Sequence, residues 1–309
     1  MSIKSGLDES KRQSLACPLR DNKISFMKMV GFFDEVEPDK CGGKGKHLIA
    51  LTRNHFPVPP GFVVTVDAYS LFKSKMKMPE SVKQAVTDCY ERLVAKSGGR
   101  TVAVRSSASA EDTATASYAG QYDTYLDIEG VHSILEHTVK CWRSLHSERS
   151  ALYRKMMKVS EESLEMAVVV QTMLSPRSAG VVFTSNPYTM DKNVMIVESS
   201  WGCGENVVSG TVTPDYFEIL KNDRFDIVKK MVGSEHASNG VESDLAEDGS
   251  GNKLQPIYSI AEAPLKILCA MAKEIERTFG GPQDIEWALE DDGSFSILQS
   301  RPLAQFRDR

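Results

Sequence analysis

Four polar residues near the end of the chain have the types and the spacing of a magnesium–polyphosphate site. Asp284 and Glu286 are separated by one residue, and so are Gln299 and Arg301. Carboxylate and amide oxygens are ligands that Mg²⁺ takes together with substrate phosphates, and the arginine fork donates to phosphate oxygens. If each pair lies on a β-strand, alternate side chains share one face of the sheet, and the four groups would lie together.

Two runs of alternating apolar and polar residues carry these side chains, and Asp292-Gly293 lies between the runs. An Asp-Gly pair is a strong signal for a tight hairpin turn. The pattern therefore predicts a β-hairpin over residues 280–303, with Leu298 on its apolar face. The predicted cross-strand pairs are Asp284 with Arg301, Glu286 with Gln299, and Ala288 with Ile297. An ordinary hairpin with one solvated polar face fits the same pattern, and the hairpin alone does not decide between the two interpretations.

A glycine-rich segment in the first part of the chain offers a second phosphate-binding element. The sequence G-G-K-G at 42–45 runs into an apolar helical stretch that reaches Leu51. Glycines ahead of a helix allow backbone N–H groups to point at an anion, and Lys44 would add a positive charge. The segment does not match the G-x-x-x-x-G-K-[ST] pattern of a Walker A loop. A solvated turn fits the segment as well as a phosphate loop does.

Arg105 ends a predicted strand over residues 101–105, and a stretch of small polar residues follows at 109–121. Loops of about 12 or more residues are uncommon unless they are functional or disordered. This favours a flap that closes over phosphates, with Arg105 placed to reach one of them. The alternative is a long surface loop with a solvated arginine.

A continuous apolar run over residues 167–174 is typical of a strand that is buried on both faces. At its end, Gln171 and Met173 could offer donors and acceptors to the edge of an adenine ring. A plain core strand is the alternative interpretation. Glu198 lies at the end of another predicted strand, over residues 193–199.

The composition excludes several classes of partner. The 309 residues are 41% apolar and 26% charged, as in ordinary globular proteins. The net charge of −5 gives no electrostatic case for nucleic acid or an anionic membrane. No apolar run approaches the ~20 residues that span a bilayer, and residues 1–22 lack the apolar centre of a secretory signal. Six cysteines without C-x-x-C spacing predict free thiols in a reducing cytoplasm, and neither a zinc site nor disulfides.

Several motifs follow one another in a specific order. They are G-G-K-G at 42–45, V-P-P-G-F at 58–62, V-R-S-S-A at 104–108, Y-A-G-Q at 118–121, G-V-V-F-T-S-N-P at 180–187, W-G-C-G-E-N-V-V-S-G at 201–210, D-I-E-W at 284–287 and Q-S-R-P at 299–302. Over residues 26–306 this set resembles the N-terminal ATP-binding domain of the phosphoenolpyruvate synthase and pyruvate phosphate dikinase family. The resemblance implies an α+β, ATP-grasp fold, with ATP in a cleft between two subdomains.

The same resemblance implies a domain division and a set of site residues. Residues 1–24 would be an N-terminal tail, and residues 25–306 would form the nucleotide-binding domain, with a split between subdomains near residue 190. The implied catalytic residues, which contact phosphates, are Lys44, Arg105 and Arg301. The implied magnesium ligands are Glu286 and Gln299. The further implied nucleotide contacts are Gln121, Gln171, Met173, Glu198 and Asp284.

The implied function is a Mg²⁺-dependent phosphotransferase of dikinase type, which uses ATP and releases AMP and phosphate. In that family a histidine on a separate swivelling domain accepts the phosphoryl group. None of the six histidines here lies in such a motif, so the expected acceptor is a histidine-bearing phosphocarrier domain or protein outside these residues. A non-catalytic ATP sensor or regulatory module and a stand-alone small-molecule kinase remain as alternatives.

Overall fold

The computed structural model describes residues 28–108, 123–147, 150, 164–203, 210, 212–233 and 258–303. Helices and strands are interleaved along the chain, and the strands form two antiparallel sheets. This confirms the predicted α+β class. The predicted tail over residues 1–24 and Gln121 lie outside the described residues.

The first sheet has five strands in the order β1-β2-β5-β3-β4. In chain order these strands are β1 (Val30–Phe32), β2 (Gly61–Val64), β3 (Thr101–Ala108), β4 (Thr124–Glu129) and β5 (Met166–Thr172). The helices around it are α1 (Gly42–Arg53), α2 (Val66–Lys75), α3 (Glu80–Ser97) and α4 (Val131–Ser144). All strand pairs within the sheet are antiparallel.

Helices cover both faces of the first sheet. Val104 and Val168 pack with helices α2 to α4, for example against Leu93. Val169, whose side chain alternates to the opposite face, packs against Leu48 of α1. Burial on both faces explains the continuous apolar run of β5, and it places Arg105 and the other odd-numbered residues of β3 on the α1 side.

The second sheet has six strands in the order β11-β10-β6-β7-β8-β9. They are β6 (Ser178–Phe183), β7 (Val194–Trp201), β8 (Asp215–Leu220), β9 (Ile227–Met231), β10 (Gln283–Leu289) and β11 (Phe295–Pro302). Helix α5 (Glu262–Phe279) packs on one face, where Leu268 and Ile275 meet Val197 and Trp287 in one buried cluster. The opposite face carries the polar residues of the predicted site.

The chain passes from the first sheet to the second between Thr172 and Ser178. The subdomain boundary near residue 190 stays a prediction. Within the described ranges, no helix is both long enough and apolar enough to cross a membrane.

The predicted hairpin forms, and its register is confirmed where the site residues lie. Asp284 pairs with Arg301, and Glu286 pairs with Gln299. The predicted pairing of Ala288 with Ile297 is wrong, because Ala288 pairs with Ser296. The registers of the two halves of the hairpin therefore differ by one residue.

Two local irregularities explain this difference. The turn is a three-residue loop, in which the Glu290 N–H donates to the Ser294 carbonyl and Gly293 adopts a φ of 87°. This conformation favours glycine and belongs to a common hairpin type. A β-bulge then adds one residue, Leu298, to β11 next to Glu286. The bulge restores the predicted register at the site, and neither irregularity is visible in the alternating pattern.

Strand β1 is held in place by Glu35. Its carboxylate accepts hydrogen bonds from Arg92 of α3 (2.7 Å), from Lys28 (2.8 Å) and from the Phe32 backbone N–H (3.2 Å). The Arg92 hydrogen bond is the largest of the effects that lower the pKa of Glu35 from 4.5 to about 2. Because the folded-state pKa is depressed, this carboxylate stabilises the fold above pH 4.5, and the stabilisation is lost as the pH falls towards 2.

We predict that Glu35→Gln lowers the free energy of unfolding by about 1 kcal/mol at pH 7, because a partly exposed ion pair contributes little more than that. The difference from the unmodified protein should shrink at pH 3. Urea denaturation at both pH values measures it, with the exposed Glu91→Gln on α3 as the control. Equal stability of the Glu35→Gln variant and the unmodified protein at pH 7 would contradict this role of Glu35.

Candidate functional site

The side chain of Arg105 connects the two sheets. From β3 of the first sheet, its Nη2 atom donates to Glu286 Oε2 at 3.0 Å and to Gln299 Oε1 at 2.7 Å. Its Nη1 atom donates to the Leu298 carbonyl oxygen at 3.1 Å. Both members of the ion pair are largely buried, with side-chain exposures of 13% for Arg105 and 21% for Glu286. The structure therefore brings together three residues that the sequence predicts to act in one site.

The bulge in β11 contributes directly to this arrangement. Leu298 is the extra residue of the bulge, and a bulged residue lies outside the regular pairing of the ladder. Its carbonyl oxygen is one of the three acceptors of Arg105. The expectation that Leu298 lies on the apolar face is wrong, because its neighbour Ile297 belongs to the buried cluster under α5, whereas Leu298 is only half-buried and is not part of that cluster.

Asp284 and Arg301 form a second ion pair on the same face of the second sheet. The Nε and Nη2 atoms of Arg301 donate to Asp284 Oδ2 at 2.8 and 2.6 Å. The two residues are ladder partners, as predicted, and they lie two positions along the strands from Glu286 and Gln299. We call Arg105, Asp284, Glu286, Gln299 and Arg301 the inter-sheet cluster.

Glu198 lies on the same sheet face as the cluster. It pairs with Val181 on β6, and Val181 pairs on its other side with Glu286, so the two carboxylates are separated by one strand. Burial raises the pKa of Glu198, and the negative charge of Asp284 raises it further. Several carboxylates on one face create a negative potential, which a bound cation would relieve.

Lys44 is the third residue of α1, and the glycines of its motif lie within the first turn of that helix. The expectation that these glycines precede the helix is therefore wrong. Helix α1 packs against β3, β5 and β11, and so contacts both sheets. Its N-terminus is attached to β3 by Ser107, which lies two residues after Arg105 and on the same side of that strand.

The predicted adenine contacts form hydrogen bonds within the first sheet and its connections. Gln171 is buried, and its Nε2 atom donates to the Pro59 carbonyl at 3.3 Å. The Met173 backbone N–H donates to the Thr101 carbonyl at 3.0 Å. Neither hydrogen bond joins these residues to the inter-sheet cluster, and their role with a nucleotide stays a prediction.

The residues of the cluster fit a magnesium–phosphate group. Glu286 and Gln299 present hard oxygen atoms side by side, since both bind the same Arg105 nitrogen. The Nε atom of Arg105 is buried and has no hydrogen-bond partner among the described residues. Buried donors are nearly always paired, and a phosphate oxygen is an acceptor of the right charge. Among the described residues, no group of three or more His, Cys, Asp or Glu side chains is placed to hold a metal ion without further ligands.

A cavity of about 430 Å³ lies elsewhere, between α3 and the start of α4. Tyr90 in its wall donates to the Arg100 carbonyl at 2.7 Å and accepts from the Gly130 N–H at 3.1 Å. The Tyr90 hydroxyl is thus already engaged on both sides, and the cavity is on the opposite side of the first sheet from Arg105. Geometry and charge therefore make the inter-sheet cluster the better candidate for the functional site.

Sequence reasoning missed two contributors to this site, Ser107 and the carbonyl group of Leu298. Alternation along β3 does place Ser107 on the same face as Arg105, and this signal was available in the V-R-S-S-A motif. The Leu298 carbonyl depends on a bulge, for which the sequence contains no comparable signal.

The sequence of this chain is similar to those of known proteins. The chain matches the sequence model of the pyruvate phosphate dikinase AMP/ATP-binding domain over residues 73–309. It is 32% identical to a probable phosphoenolpyruvate synthase of Methanocaldococcus jannaschii, covering 94% of this chain and 28% of that protein. It is 35% identical to a rifampicin phosphotransferase of Streptomyces sviceus, covering 87% of this chain and 35% of that protein. The chain thus spans about a third of the length of these curated relatives.

Among solved structures, the chain is similar to the D-alanine-D-alanine ligase of Coxiella burnetii. The sequence identity is 9% and the TM-score is 0.39. The match covers 85% of this chain and 48% of that one.

The raised pKa of Glu198 generates a prediction about stability. The charged form of a carboxyl group with a raised pKa is disfavoured in the folded state, so Glu198 destabilises the fold above its folded-state pKa and has no such effect once it is protonated at low pH. Glu198→Gln should therefore raise the free energy of unfolding at pH 8 by about 1 kcal/mol, and by much less at pH 4. Urea denaturation tests this, with the exposed Glu129→Gln as the control. A gain of equal size at both pH values would contradict the electrostatic cause.

Proposed function

The chain belongs to the pyruvate phosphate dikinase AMP/ATP-binding domain family, and on that premise we propose that it binds ATP with Mg²⁺ at the inter-sheet cluster and donates a phosphoryl group in dikinase-type transfer. The observation that carries the proposal is the contact of Arg105 with Glu286 and Gln299 across the two sheets. Oxygen ligands and guanidinium groups of this kind suit a metal–polyphosphate group, and they do not suit a neutral ligand.

Each residue has a defined role in this proposal. Glu286 and Gln299 hold Mg²⁺, while Arg105 and Arg301 bind phosphate oxygens and stabilise the charge on the transferring group. Lys44, at the N-terminus of α1, adds a point charge where the helix already favours anions. Bound Mg²⁺ would neutralise phosphate charge and polarise a phosphoryl oxygen. The protein residues contribute positioning and electrostatic stabilisation, which account for most of the catalysis in phosphoryl transfer.

The phosphoryl acceptor in this proposal is a histidine of a phosphocarrier domain or protein, and AMP and phosphate are the products. The lengths of the relatives support this, because the match covers only 28% and 35% of these two proteins, and most of each lies outside it. Three of the five described histidines contact residues outside the inter-sheet cluster. His137 lies within hydrogen-bond distance of the Ser133 carbonyl, His146 of Tyr69, and His47 packs on the Phe279 ring.

We place this activity in the cytoplasm. The five cysteines among the described residues are free thiols, which is typical of proteins kept in a reducing compartment. Four of them are buried, and burial raises the pKa of Cys41, Cys141 and Cys269 to about 12. These thiols are therefore structural at neutral pH and take no part in the proposed chemistry.

We predict that Glu286→Gln removes the part of ATP affinity that depends on Mg²⁺. An amide is a weaker ligand for Mg²⁺ than a carboxylate, and it pairs less well with Arg105, so the dissociation constant in Mg²⁺ should rise at least about tenfold. Isothermal titration with and without Mg²⁺ measures the effect. The matched control is Glu290→Gln at the far end of the hairpin, where Glu290 bonds to Ser296. Equal Mg²⁺-dependent affinity in the two variants would sink the assignment of the metal ligands.

We predict that incubation with ATP, Mg²⁺ and a histidine-bearing phosphocarrier of the family yields AMP and phosphate, and that Arg105→Ala abolishes this turnover without changing the circular dichroism spectrum. The exposed Arg100→Ala serves as the control. ADP as the product would indicate a small-molecule kinase instead. Saturable ATP binding without any turnover would favour an ATP sensor, and ATP consumption unaffected by Arg105→Ala would overturn the proposed role of Arg105.

A further inference from the structure

Ser107 makes two buried hydrogen bonds, and the proposed phosphate and Mg²⁺ contacts explain neither of them. Its Oγ–H donates to the Cys41 carbonyl at 2.7 Å, and the same oxygen accepts the Gly45 N–H at 3.0 Å. Ser107 is completely buried. Its hydroxyl group thus binds both sides of the first turn of α1, from a strand that lies more than sixty residues further along the chain.

This contact differs from a helix cap. The first backbone N–H groups of a helix have no partners within the helix, and a side chain at the N-cap position usually supplies one. The N-cap residue of α1 is Cys41, whose side chain makes no capping hydrogen bond. Gly45 is the fourth residue of α1, one position beyond the N–H groups that a cap serves, so Ser107 reinforces the first helical turn from outside the helix. The position of this turn therefore depends on β3.

The glycines of the G-G-K-G motif make this close contact possible. Gly42 has a φ of 66°, and a Cβ atom at this position would overlap the carbonyl oxygen of Ser107. A Cβ atom at Gly45 would lie 2.8 Å from the Cβ of Cys41. No other residue type fits at position 42 without moving the backbone. The motif thus serves the packing of α1 against β3, in addition to any contact with a ligand.

Ser107 also fixes the relation between two of the proposed phosphate-binding residues. Arg105 lies two positions before it on the same side of β3, and Lys44 lies in the helical turn that Ser107 holds. A change in the Ser107 contact would move Lys44 relative to Arg105. Misplacement of a binding group by about an ångström is enough to cost catalysis heavily.

We infer that Ser107 is a positioning residue, which holds the first turn of α1 so that Lys44 and Arg105 act on the same phosphate group. The inference rests on the proposed function, because it assigns a role in binding ATP. Ser107 itself is not proposed to contact phosphate, and it acts only by holding the first turn of α1.

Ser106 provides a matched control. It is also buried, and its Oγ donates to the Asp123 carbonyl at 2.9 Å. Its side chain points to the opposite face of β3, away from α1. Ser107→Ala and Ser106→Ala each remove one hydroxyl group from adjacent buried positions, and only the first should affect α1.

The first test requires no nucleotide. Ser107→Ala should accelerate hydrogen exchange at the Gly45 amide at least about tenfold, because the first turn loses both hydrogen bonds that hold it to β3, including the Ser107 oxygen that accepts this N–H. Ser106→Ala should leave this exchange rate unchanged. Exchange at Gly45 that is unaffected by Ser107→Ala would show that Ser107 does not hold the helix, whatever the chain binds.

The second test measures MgATP affinity in a double-mutant cycle with Lys44→Ala. We expect Ser107→Ala to weaken binding about tenfold in the otherwise unmodified protein and less than about twofold in the Lys44→Ala background, because the two changes act through the same group. An equal loss in both backgrounds would overturn the inference. Ser107→Cys keeps the size of the side chain with weaker hydrogen bonding, and it should give an intermediate loss if Ser107→Ala does not fold.

The two tests separate the inference from the proposed function. If the unmodified protein fails to bind MgATP, the proposed function is wrong, and the role of Ser107 in nucleotide binding is wrong with it. If the unmodified protein binds and exchange at Gly45 rises without any loss of affinity, the proposed function stands, and the role of Ser107 is structural only.

Discussion

The arrangement of the site depends on the contact of Arg105 with the second sheet. The guanidinium leaves β3 and ends among three oxygen atoms of the β10–β11 hairpin, those of Glu286, Gln299 and the Leu298 backbone. Charge-assisted hydrogen bonds of this kind are the strong ones in proteins. Loss of one partner of a largely buried pair leaves an uncompensated charge, which costs several kcal/mol by the general rule. The contact therefore helps to hold the two sheets together, beside the packing of α1 on both of them, and it positions the oxygen atoms proposed to bind Mg²⁺.

Negatively charged groups destabilise the face of the second sheet that carries the candidate site. Glu198, Asp284 and Glu286 share that face, and only Asp284 and Glu286 have arginine partners shown in the structure. The raised pKa of Glu198 reflects this destabilisation, which comes from burial and from the charge of Asp284. Functional sites commonly retain such destabilising charges because a ligand will compensate them. A metal–polyphosphate group supplies both a cation for the carboxylates and anions for the arginines.

Much of the fold and part of the site follow from local sequence patterns. The helical periodicity of residues 80–96 and 261–279 predicts α3 and α5 to within about a residue. The pairs Asp284–Arg301 and Glu286–Gln299 follow from strand alternation. What the patterns do not contain is the bulge at Leu298 and the contact between α1 and β3. The contact between α1 and β3 joins segments more than sixty residues apart, where the spacing of residues carries no signal. The bulge lies within one hairpin, but it interrupts the alternation on which the prediction of the register depends.

Binding of Mg²⁺ and the ATP phosphates at the inter-sheet cluster can be tested by a crystal structure with Mg²⁺ and a non-hydrolysable ATP analogue. We expect the metal on Glu286 and Gln299. We also expect phosphate oxygens within hydrogen-bond distance of Lys44, Arg301 and Arg105, including the buried Nε atom of Arg105. An analogue bound elsewhere, for example in the cavity beside Tyr90, with the contacts of Arg105 unchanged, would contradict it.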